Sequence, residues 1–304
     1  MPKIRLRRSV LSVPANRERM VQKALDLNAD EIMLDLEDSI PVQDKESARR
    51  AAIACLQGAD FGPRVRACRI NDMGTPFAYR DVVDIVEQSG DKVDVLVVPK
   101  VADPSHVTAI DLILSQIEDG LSLSRRIGIE ACVETAEGLT HAEAIAASSD
   151  RLEALVFGVA DFTASLGAPP IGVSGHGEGE TGTGRWYSVL CRLAVAAKAH
   201  GLQVIDAPYG DHTDLKGLET SCRISAGLGF DGKWAIHPGQ IGTINNQFSP
   251  TSEQVEQARR VVAAYEQAEG GHSGSLALEG KMIDAASVRL ARSVVEKWEQ
   301  MGKA

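Results

Sequence analysis

The feature that most constrains this chain is a regular alternation of short apolar runs with longer, helix-like segments. Several runs are rich in Val and Ile, and the segments between them carry apolar residues at three-to-four spacing. This alternation is typical of repeated βα units around a parallel sheet. The predicted strands cover residues 9–14, 31–37, 64–70, 94–99, 126–133, 152–159, 203–207 and 232–237. The predicted crossover helices cover residues 17–28, 45–57, 77–88, 103–118, 136–148, 185–200 and 213–228.

Eight strands joined by crossovers favour a closed barrel over an open sheet. A chain of 304 residues, 44% of them hydrophobic, is long enough to bury such a core and to carry an appendage. We therefore predict an α/β fold, with a (β/α)₈ TIM barrel in residues 1–248 and a C-terminal helical extension in residues 249–304.

Two segments fall outside the repeat. Residues 167–184 are too rich in Gly and Pro to be regular, and their length indicates an active-site loop or lid. Further on, Thr251 and Gln254 have the spacing of a capping box that opens a helix. The apolar face of that helix consists of Val255, Ala258, Val262 and Tyr265. A Gly-rich hinge over residues 269–275 and a final amphipathic helix over residues 279–298 then predict a movable arm.

Composition argues against several classes of partner. The formal net charge of -10 disfavours a nucleic acid or a membrane surface, because either would call for clustered Lys and Arg. The apolar stretches are too short to span a membrane, and the run near the N-terminus is cut by Pro14. The five cysteines form no C-x-x-C pair, which disfavours disulfides and a thiolate zinc site. We expect a cytoplasmic protein.

Polar and ionisable residues follow the predicted strands, and in such a barrel the C-terminal strand ends carry the chemistry. Most of the runs are apolar until their last step, which favours an active site over a chance set of polar ends. The residues at these ends include Arg17, Glu37, Arg69, Lys100, Glu134, Asp161, Asp206 and His237.

Glu134 and Asp161 end neighbouring strands, and two carboxylates about one strand spacing apart can share a hard cation. With only two carboxylate ligands, Mg²⁺ keeps positions open for water and substrate oxygens, as a Lewis-acid catalyst requires. The alternative is a structural ion pair of either acid with Lys100 or Arg69. Arg69 can fork two hydrogen bonds to a substrate carboxylate, or it can form a salt bridge to Glu37.

Three other motifs are weaker. Gly177, Gly179 and Gly182 match a dinucleotide fingerprint, but no strand leads into them, which indicates only flexibility. The phosphate-loop-like run over residues 227–233 precedes a strand and lacks the required Ser or Thr. The seven His residues show no zinc-binding spacing, so His237 is interpreted as orienting the site or the chain turn.

Seven segments form a recognisable set: RRSVLSVPANRERM, DEIMLDLEDSIPVQDKESAR, CRIND, ACVETAEGL, LVFGVADFTASLG, FDGKWAIHPGQI and LEGKMIDAASVRLA. Together, and in this order, they resemble the citrate lyase beta subunit and malyl-CoA lyase family from about residue 7 to the last helix. GVADFTASLG, IDAPYGD and GKWAIHP look closest to the L-malyl-CoA/β-methylmalyl-CoA lyase branch. The citrate lyase branch usually has an acidic residue in place of Ala160.

The resemblance implies roles for particular residues. Glu134 and Asp161 would bind Mg²⁺, with Mn²⁺ as an alternative ion. Arg69 would hold the carboxylate of a 2-oxoacid, and Glu37 is assigned to the same catalytic group. Asp284 would act as the general base in the site of a neighbouring subunit, in a homotrimer or homohexamer.

The implied reaction is the reversible cleavage of a 3-hydroxyacyl-CoA, malyl-CoA or β-methylmalyl-CoA, to glyoxylate and acetyl-CoA or propionyl-CoA. The CoA thioester is the substrate, with Arg17 and Lys23 near its phosphates. Alternatives are cleavage of citramalyl-CoA or a citryl thioester, hydrolysis of malyl-CoA by a thioesterase, and a non-catalytic subunit that binds CoA esters. The sequence leaves open whether Glu279 shares the base role and which group stabilises the enolate.

Overall fold

A computed structural model describes residues 4–169, 185–269, 275–278 and 280–303. Eight parallel strands form a closed barrel in which each strand pairs with the next, and β8 pairs with β1. The strands are β1 (Ser9–Pro14), β2 (Glu31–Asp35), β3 (Val65–Arg69), β4 (Val95–Val98), β5 (Gly128–Val133), β6 (Leu152–Phe157), β7 (Gln203–Asp206) and β8 (Gly232–Ala235). The predicted (β/α)₈ barrel is confirmed.

Helices cover the outside of the barrel and continue beyond it. They are α1 (Glu18–Leu25), α2 (Lys45–Gly58), α3 (Ala78–Ser89), α4 (Pro104–Leu121), α5 (Ala136–Thr140), α6 (Ala142–Ala146), α7 (Val159–Ser165), α8 (Tyr187–Ala199), α9 (Leu215–Gly227), α10 (Ile241–Gln247), α11 (Ser252–Glu269) and α12 (Ala285–Lys303). The helix predicted over residues 136–148 is divided at His141, which leaves helical geometry while its ring bonds the carbonyl of Ala102 at 2.8 Å.

The strands are buried on both faces, as parallel strands wrapped by helices must be. Branched side chains such as Val and Ile pack well on a pleated surface, which explains why the apolar runs form strands. The packed core of the barrel includes Val10, Met33, Val95, Val97, Val156, Ile205 and Trp234. Burying each large apolar side chain contributes roughly 1.5–3 kcal/mol, so the barrel is a rigid frame for the loops at its ends.

Charged side chains fill the barrel towards the N-terminal ends of its strands. Arg7 is fully buried, with its Nε 3.0 Å from Glu31 Oε2 and 2.7 Å from Glu130 Oε1. Its other nitrogens contact Glu153 and Gln203. Burial and the charge of Glu130 raise the pKa of Glu31 well above its usual range. Arg5 also reaches Glu153, with its Nε 2.8 Å from Glu153 Oε2, so two guanidiniums face three buried carboxylates.

Internal contacts divide the chain into two compact units, Met1–Asn245 and Asn246–Ala304. The predicted capping box opens α11: Thr251 N donates to Gln254 Oε1 at 2.8 Å, and Gln254 N donates to Thr251 Oγ1 at 3.2 Å. An apolar cluster then joins α11 to α12 and includes Ala258, Val261, Tyr265, Ile283, Val288 and Ala291. Val255, from the predicted face, is buried, and Val262 packs against the cluster.

The final helix begins later than predicted. Lys281–Asp284 form strand β10, which pairs antiparallel with β9 (Ser275–Leu278). Met282 is 75% exposed and Ile283 only 7%, so these neighbouring side chains lie on opposite faces of the strand. The prediction of a helix from residue 279 was therefore wrong for these residues, and α12 starts at Ala285.

Some predictions fall outside the described residues. These are most of the loop over residues 167–184, including Gly177, Gly179 and Gly182, most of the hinge over residues 269–275, and Glu279. Within the described ranges, no helix is long and apolar enough to cross a membrane.

Candidate active site

The C-terminal ends of β2 to β6 bring five ionisable side chains together. Arg69 ends β3, Glu134 follows β5, and Asp161 lies in the first turn of α7 after β6. Glu37 and Lys100 lie just after β2 and β4. Lys100 lies close to the three acids: its backbone N–H donates to Glu134, and its ammonium contacts Glu37 and lies 3.8 Å from Asp161 Oδ2.

Glu134 is almost withdrawn from solvent, with 2% of its surface exposed. Its Oε1 accepts a 2.7 Å hydrogen bond from the amide of Lys100. Its Oε2 lies so close to Gly158 that a Cβ atom there would approach within 2.1 Å. Burial, assisted by the charge of Glu37, raises the pKa of Glu134 to about 7. A bound cation would relieve this cost of burying a carboxylate.

Asp161 is far more open, with 37% of its side chain exposed. It lies in the first turn of α7, where the partial positive charge of the helix N-terminus stabilises an anion. β5 and β6 are hydrogen-bonded neighbours, with Val133 opposite Phe157, so Glu134 and Asp161 leave the barrel side by side. One carboxylate is therefore buried and held, and the other faces the solvent-accessible side.

Arg69 binds Asp35 with two parallel hydrogen bonds. Its Nε donates to Oδ1 at 2.6 Å and its Nη2 to Oδ2 at 2.8 Å, while Nη1 lies 2.9 Å from Glu37 Oε2. Burial lowers the pKa of Arg69, but the charges of Asp35 and Glu37 and the hydrogen bonds to Asp35 together outweigh it and raise the pKa. The fork predicted for a substrate carboxylate is thus occupied by Asp35. The alternative salt bridge to Glu37 is present.

Glu37 is buried between two cations, Arg69 and Lys100. Burial raises its pKa, and the two cations only partly offset that rise. Its backbone is fixed from below by Lys45, whose Nζ donates to the carbonyl oxygens of Leu36 at 2.8 Å and Glu37 at 2.6 Å. Nothing in the sequence singles out Lys45, because a lysine at the start of a predicted helix normally faces solvent.

Lys100 has a left-handed backbone, with φ +49°. Among the described non-glycine residues only Ser122, at the end of α4, shares this property. The following residue, Val101, is tied to β5 by a hydrogen bond from its N–H to the carbonyl of Cys132 at 3.0 Å. Lysine has no local reason to adopt this conformation, so the surrounding contacts enforce it.

The residues predicted to bind CoA lie on α1. Arg17 immediately precedes the helix and is exposed, and its amide donates to the carbonyl of Pro14 at 3.0 Å. Lys23 is exposed in the last turn. The two positions are separated by about 9 Å along the helix axis, which is a short span for a ligand as long as CoA.

Asp284 belongs to the C-terminal unit, where it ends β10 and caps α12. Its Oδ1 accepts hydrogen bonds from the backbone N–H and the hydroxyl of Ser287, each 2.9 Å long. The Ser287 amide is the main cause of a lowered pKa for Asp284. To act as a general base, Asp284 would have to give up these hydrogen bonds and enter a less polar environment, which would raise its pKa.

Two other strand ends are engaged in structural contacts. Asp206 Oδ2 accepts a 2.6 Å hydrogen bond from the buried Lys233 Nζ. His237 Nδ1 accepts a hydrogen bond from Gly239 N at 3.1 Å and caps the short 3₁₀ turn Pro238–Gln240. His237 thus orients the chain turn.

The donor chemistry decides which cation fits. The described ranges contain no group of three or more His, Cys, Asp or Glu side chains that could hold a metal ion. Glu134 and Asp161 are oxygen donors only, and two carboxylates completed by water and substrate oxygens suit Mg²⁺. A zinc ion would call for His or Cys ligands in a closed set. The residues present therefore fit a hard cation.

The fold and the site define a (β/α)₈ barrel protein with a carboxylate site for a hard cation at the C-terminal ends of its strands. Residues 8–238 match the family model described as HpcH/HpaI aldolase/citrate lyase, and the chain belongs to this family. It is 37% identical over 308 residues to L-malyl-CoA/beta-methylmalyl-CoA lyase of Cereibacter sphaeroides, covering 99% of this chain and 97% of the relative.

Two further relatives bear on function. The (3S)-malyl-CoA thioesterase of Cereibacter sphaeroides is 36% identical over 294 residues, covering 96% of this chain and 94% of the relative. The crystal structure of CitE from Mycobacterium tuberculosis, in complex with magnesium, acetoacetate and coenzyme A, is similar with a TM-score of 0.73 and 28% identity. That match covers 95% of this chain and 97% of the other.

Proposed function

We propose that this protein is a Mg²⁺-dependent carbon–carbon lyase that cleaves malyl-CoA or β-methylmalyl-CoA reversibly to glyoxylate and acetyl-CoA or propionyl-CoA. The observation that carries the proposal is the convergence of Glu37, Arg69, Glu134 and Asp161 at one barrel end, in a chain 37% identical to a malyl-CoA lyase over almost its whole length.

Glu134 and Asp161 hold the magnesium ion in this proposal. Bound Mg²⁺ supplies a Lewis acid beside the substrate oxygens. Glu134 provides a carboxylate whose orientation is fixed by the amide of Lys100 and by contact with Gly158. Asp161, after the adjacent strand, provides a more exposed carboxylate and would hold the ion where substrate oxygens can reach it.

Arg69 orients the oxoacid carboxylate. A guanidinium has five N–H donors, and the hydrogen bonds to Asp35 use two of them, while Nη1 forms an ion pair with Glu37. Donors on the terminal nitrogens are thereby left for a substrate. Asp35 then acts as the partner that fixes the plane of the guanidinium, a role in which lysine cannot replace arginine.

In the cleavage direction a base removes the proton of the substrate hydroxyl. The bond between the hydroxyl carbon and the carbon next to the thioester then breaks, and its electron pair forms the thioester enolate. Glyoxylate leaves, and the enolate carbon takes up a proton to give the acyl-CoA. Asp284 from a neighbouring subunit of a homotrimer or homohexamer acts as the base, while Arg17 and Lys23 bind the CoA phosphates.

The proposed role of Asp284 can be separated from its role as a helix cap. Asp284→Asn keeps a side-chain oxygen that accepts from the Ser287 amide, so the variant should fold normally and lose activity. If the base works between subunits, mixing this variant with Glu134→Gln and allowing subunits to exchange should restore part of the activity. A mixture that assembles but stays inactive would contradict the arrangement between subunits.

The thioesterase relative makes hydrolysis the second candidate. Both reactions release free or acylated CoA from the same substrate, but only the lyase releases glyoxylate. Incubation with Mg²⁺ and malyl-CoA, β-methylmalyl-CoA or citramalyl-CoA, with separate measurement of glyoxylate, pyruvate and free CoA, decides between them. Release of free CoA without an oxoacid would favour the thioesterase.

A further inference from the structure

We propose that Lys100 is the resident counter-ion of the cation site: its ammonium neutralises the carboxylates before a divalent cation binds, and the cation displaces it from Asp161. The inference rests on the proposed function, because it takes Glu134 and Asp161 as the metal-binding pair. It adds a residue that controls how tightly the ion is held.

The backbone of Lys100 places the ammonium where it is. At φ +49° the residue occupies a left-handed conformation that is unfavourable for a residue with a side chain. In this conformation its N–H donates a 2.7 Å hydrogen bond to Glu134 Oε1, and its side chain extends towards the neighbouring carboxylates. The backbone of Lys100 therefore binds Glu134, and its ammonium lies near Asp161.

The ammonium lies among three carboxylates that follow two strands, β2 and β6. It contacts Glu37 directly, lies 3.5 Å from Asp38 Oδ1, and lies 3.8 Å from Asp161 Oδ2. The last distance is too long for a hydrogen bond, so the attraction to Asp161 is through charge alone. Only 24% of the Lys100 side chain is exposed. Partial burial of this kind limits screening by water and so strengthens the attraction between the ammonium and the carboxylates.

A divalent cation and this ammonium compete for the same carboxylate. A Mg²⁺–oxygen bond is about 2.1 Å long, so an ion on Asp161 Oδ2 would lie at most about 6 Å from an ammonium that stayed in place. Even with the dielectric constant of water, repulsion at that distance weakens binding by about tenfold. The flexible stem of lysine lets the ammonium withdraw towards Glu37 and Asp38.

Substitution of Lys100 tests the charge separately from the backbone. Lys100→Met keeps the amide that binds Glu134 and most of the stem, but removes the charge. Lys100→Arg keeps the charge. Titration calorimetry with Mg²⁺ at constant ionic strength should show that the Met variant binds the ion about tenfold more tightly than the unmodified protein, with the Arg variant close to the unmodified protein. A purely structural role would weaken binding in both variants.

Three outcomes overturn the inference: unchanged affinity in the Met variant, weaker affinity, or equal tightening in the Met and Arg variants. Lys100→Gly guards against misfolding, because glycine accepts the left-handed backbone and keeps the same amide. It should also bind Mg²⁺ more tightly. The lyase assay is independent of this test. A protein that shows the predicted change in affinity but releases no glyoxylate would refute the proposed function and leave the counter-ion in place.

Discussion

Arg69 and Asp35 are directly paired across β3 and β2, and their side chains form a side-on fork with hydrogen bonds of 2.6 and 2.8 Å. The last residues of two neighbouring strands therefore fix a guanidinium plane at the mouth of the barrel. Glu37 forms an ion pair with the third guanidinium nitrogen, Nη1. The Cζ atom of Arg69 lies 5.4 Å from the centre of the Trp234 ring. The Arg69 guanidinium, which orients the substrate in the proposed function, is thus held in place before any substrate binds.

Arg69→Lys removes this fork while keeping the charge. We expect kcat/KM to fall by about 10- to 100-fold, because lysine cannot bind Asp35 and a carboxylate in one fixed plane. Arg66→Lys is a matched control on the same strand: Arg66 forks Asp94 in the same way, with bonds of 2.8 and 3.1 Å, at the other end of the barrel. The control should lose some stability and little activity. Equal losses of activity would contradict the role of Arg69.

Gly158→Ala tests the positioning of Glu134. A Cβ atom at residue 158 would lie 2.1 Å from Glu134 Oε2 and 2.5 Å from its Cβ, so the glutamate must move. Misplacement of a catalytic group by about 1 Å can cost roughly 100-fold in rate, and we expect a loss of that order together with weaker Mg²⁺ binding. Gly227→Ala, where nothing lies within 4 Å, should change neither. Full activity in the Gly158 variant would mean that Glu134 does not need its present place.

Mg²⁺ affinity should depend on pH through Glu134. Burial and the charge of Glu37 raise its pKa to about 7, so below pH 7 the carboxyl is protonated and a proton must leave before the metal binds. The concentration of Mg²⁺ for half-saturation should therefore rise about tenfold for each pH unit below 7 and level off above it. Calorimetry between pH 5.5 and 8.5 measures this. Constant affinity across that range would show that Glu134 is not the titrating ligand.

Glu31→Gln should relieve a pH-dependent cost at the N-terminal end of the barrel. The folded pKa of Glu31 is raised above its unfolded value, so its contribution to stability is present at low pH and is lost as the pH rises through the folded pKa. The difference in stability between the variant and the unmodified protein, measured as the urea midpoint, should therefore shift in favour of the variant from pH 5 to pH 8. Glu46→Gln, at an exposed site, is the control and should change the urea midpoint little.

The barrel was predictable because its signal is repeated. Buried parallel strands must be apolar along their whole length, and eight such runs with helical segments between them allow few other folds. The strand β10 was missed because four residues show one alternation at most, and Met282 and Ile283 also fit the apolar pattern of a helix. Only the pairing of β10 with β9 distinguishes the two structures.

Which residues lie at this end of the barrel could be predicted once the strand ends were predicted, because parallel strands of a barrel end on one face. Its internal contacts were predictable only in part, since the salt bridge between Arg69 and Glu37 was one of the expected alternatives. The pairing of Arg69 with Asp35 depends on the register of β2 and β3, and the central place of Lys100 depends on a backbone conformation that no residue type indicates. A side chain that looks free in the sequence can therefore be committed to a neighbour in the fold.

The central claim is that Glu134 helps to hold the ion required for carbon–carbon cleavage. The most direct measurement is the rate of glyoxylate release from malyl-CoA as a function of Mg²⁺ concentration, for the unmodified protein and for Glu134→Gln. The account predicts saturable, Mg²⁺-dependent release by the unmodified protein and loss of nearly all turnover in a variant that still folds. Full Mg²⁺-dependent release of glyoxylate by Glu134→Gln would contradict it.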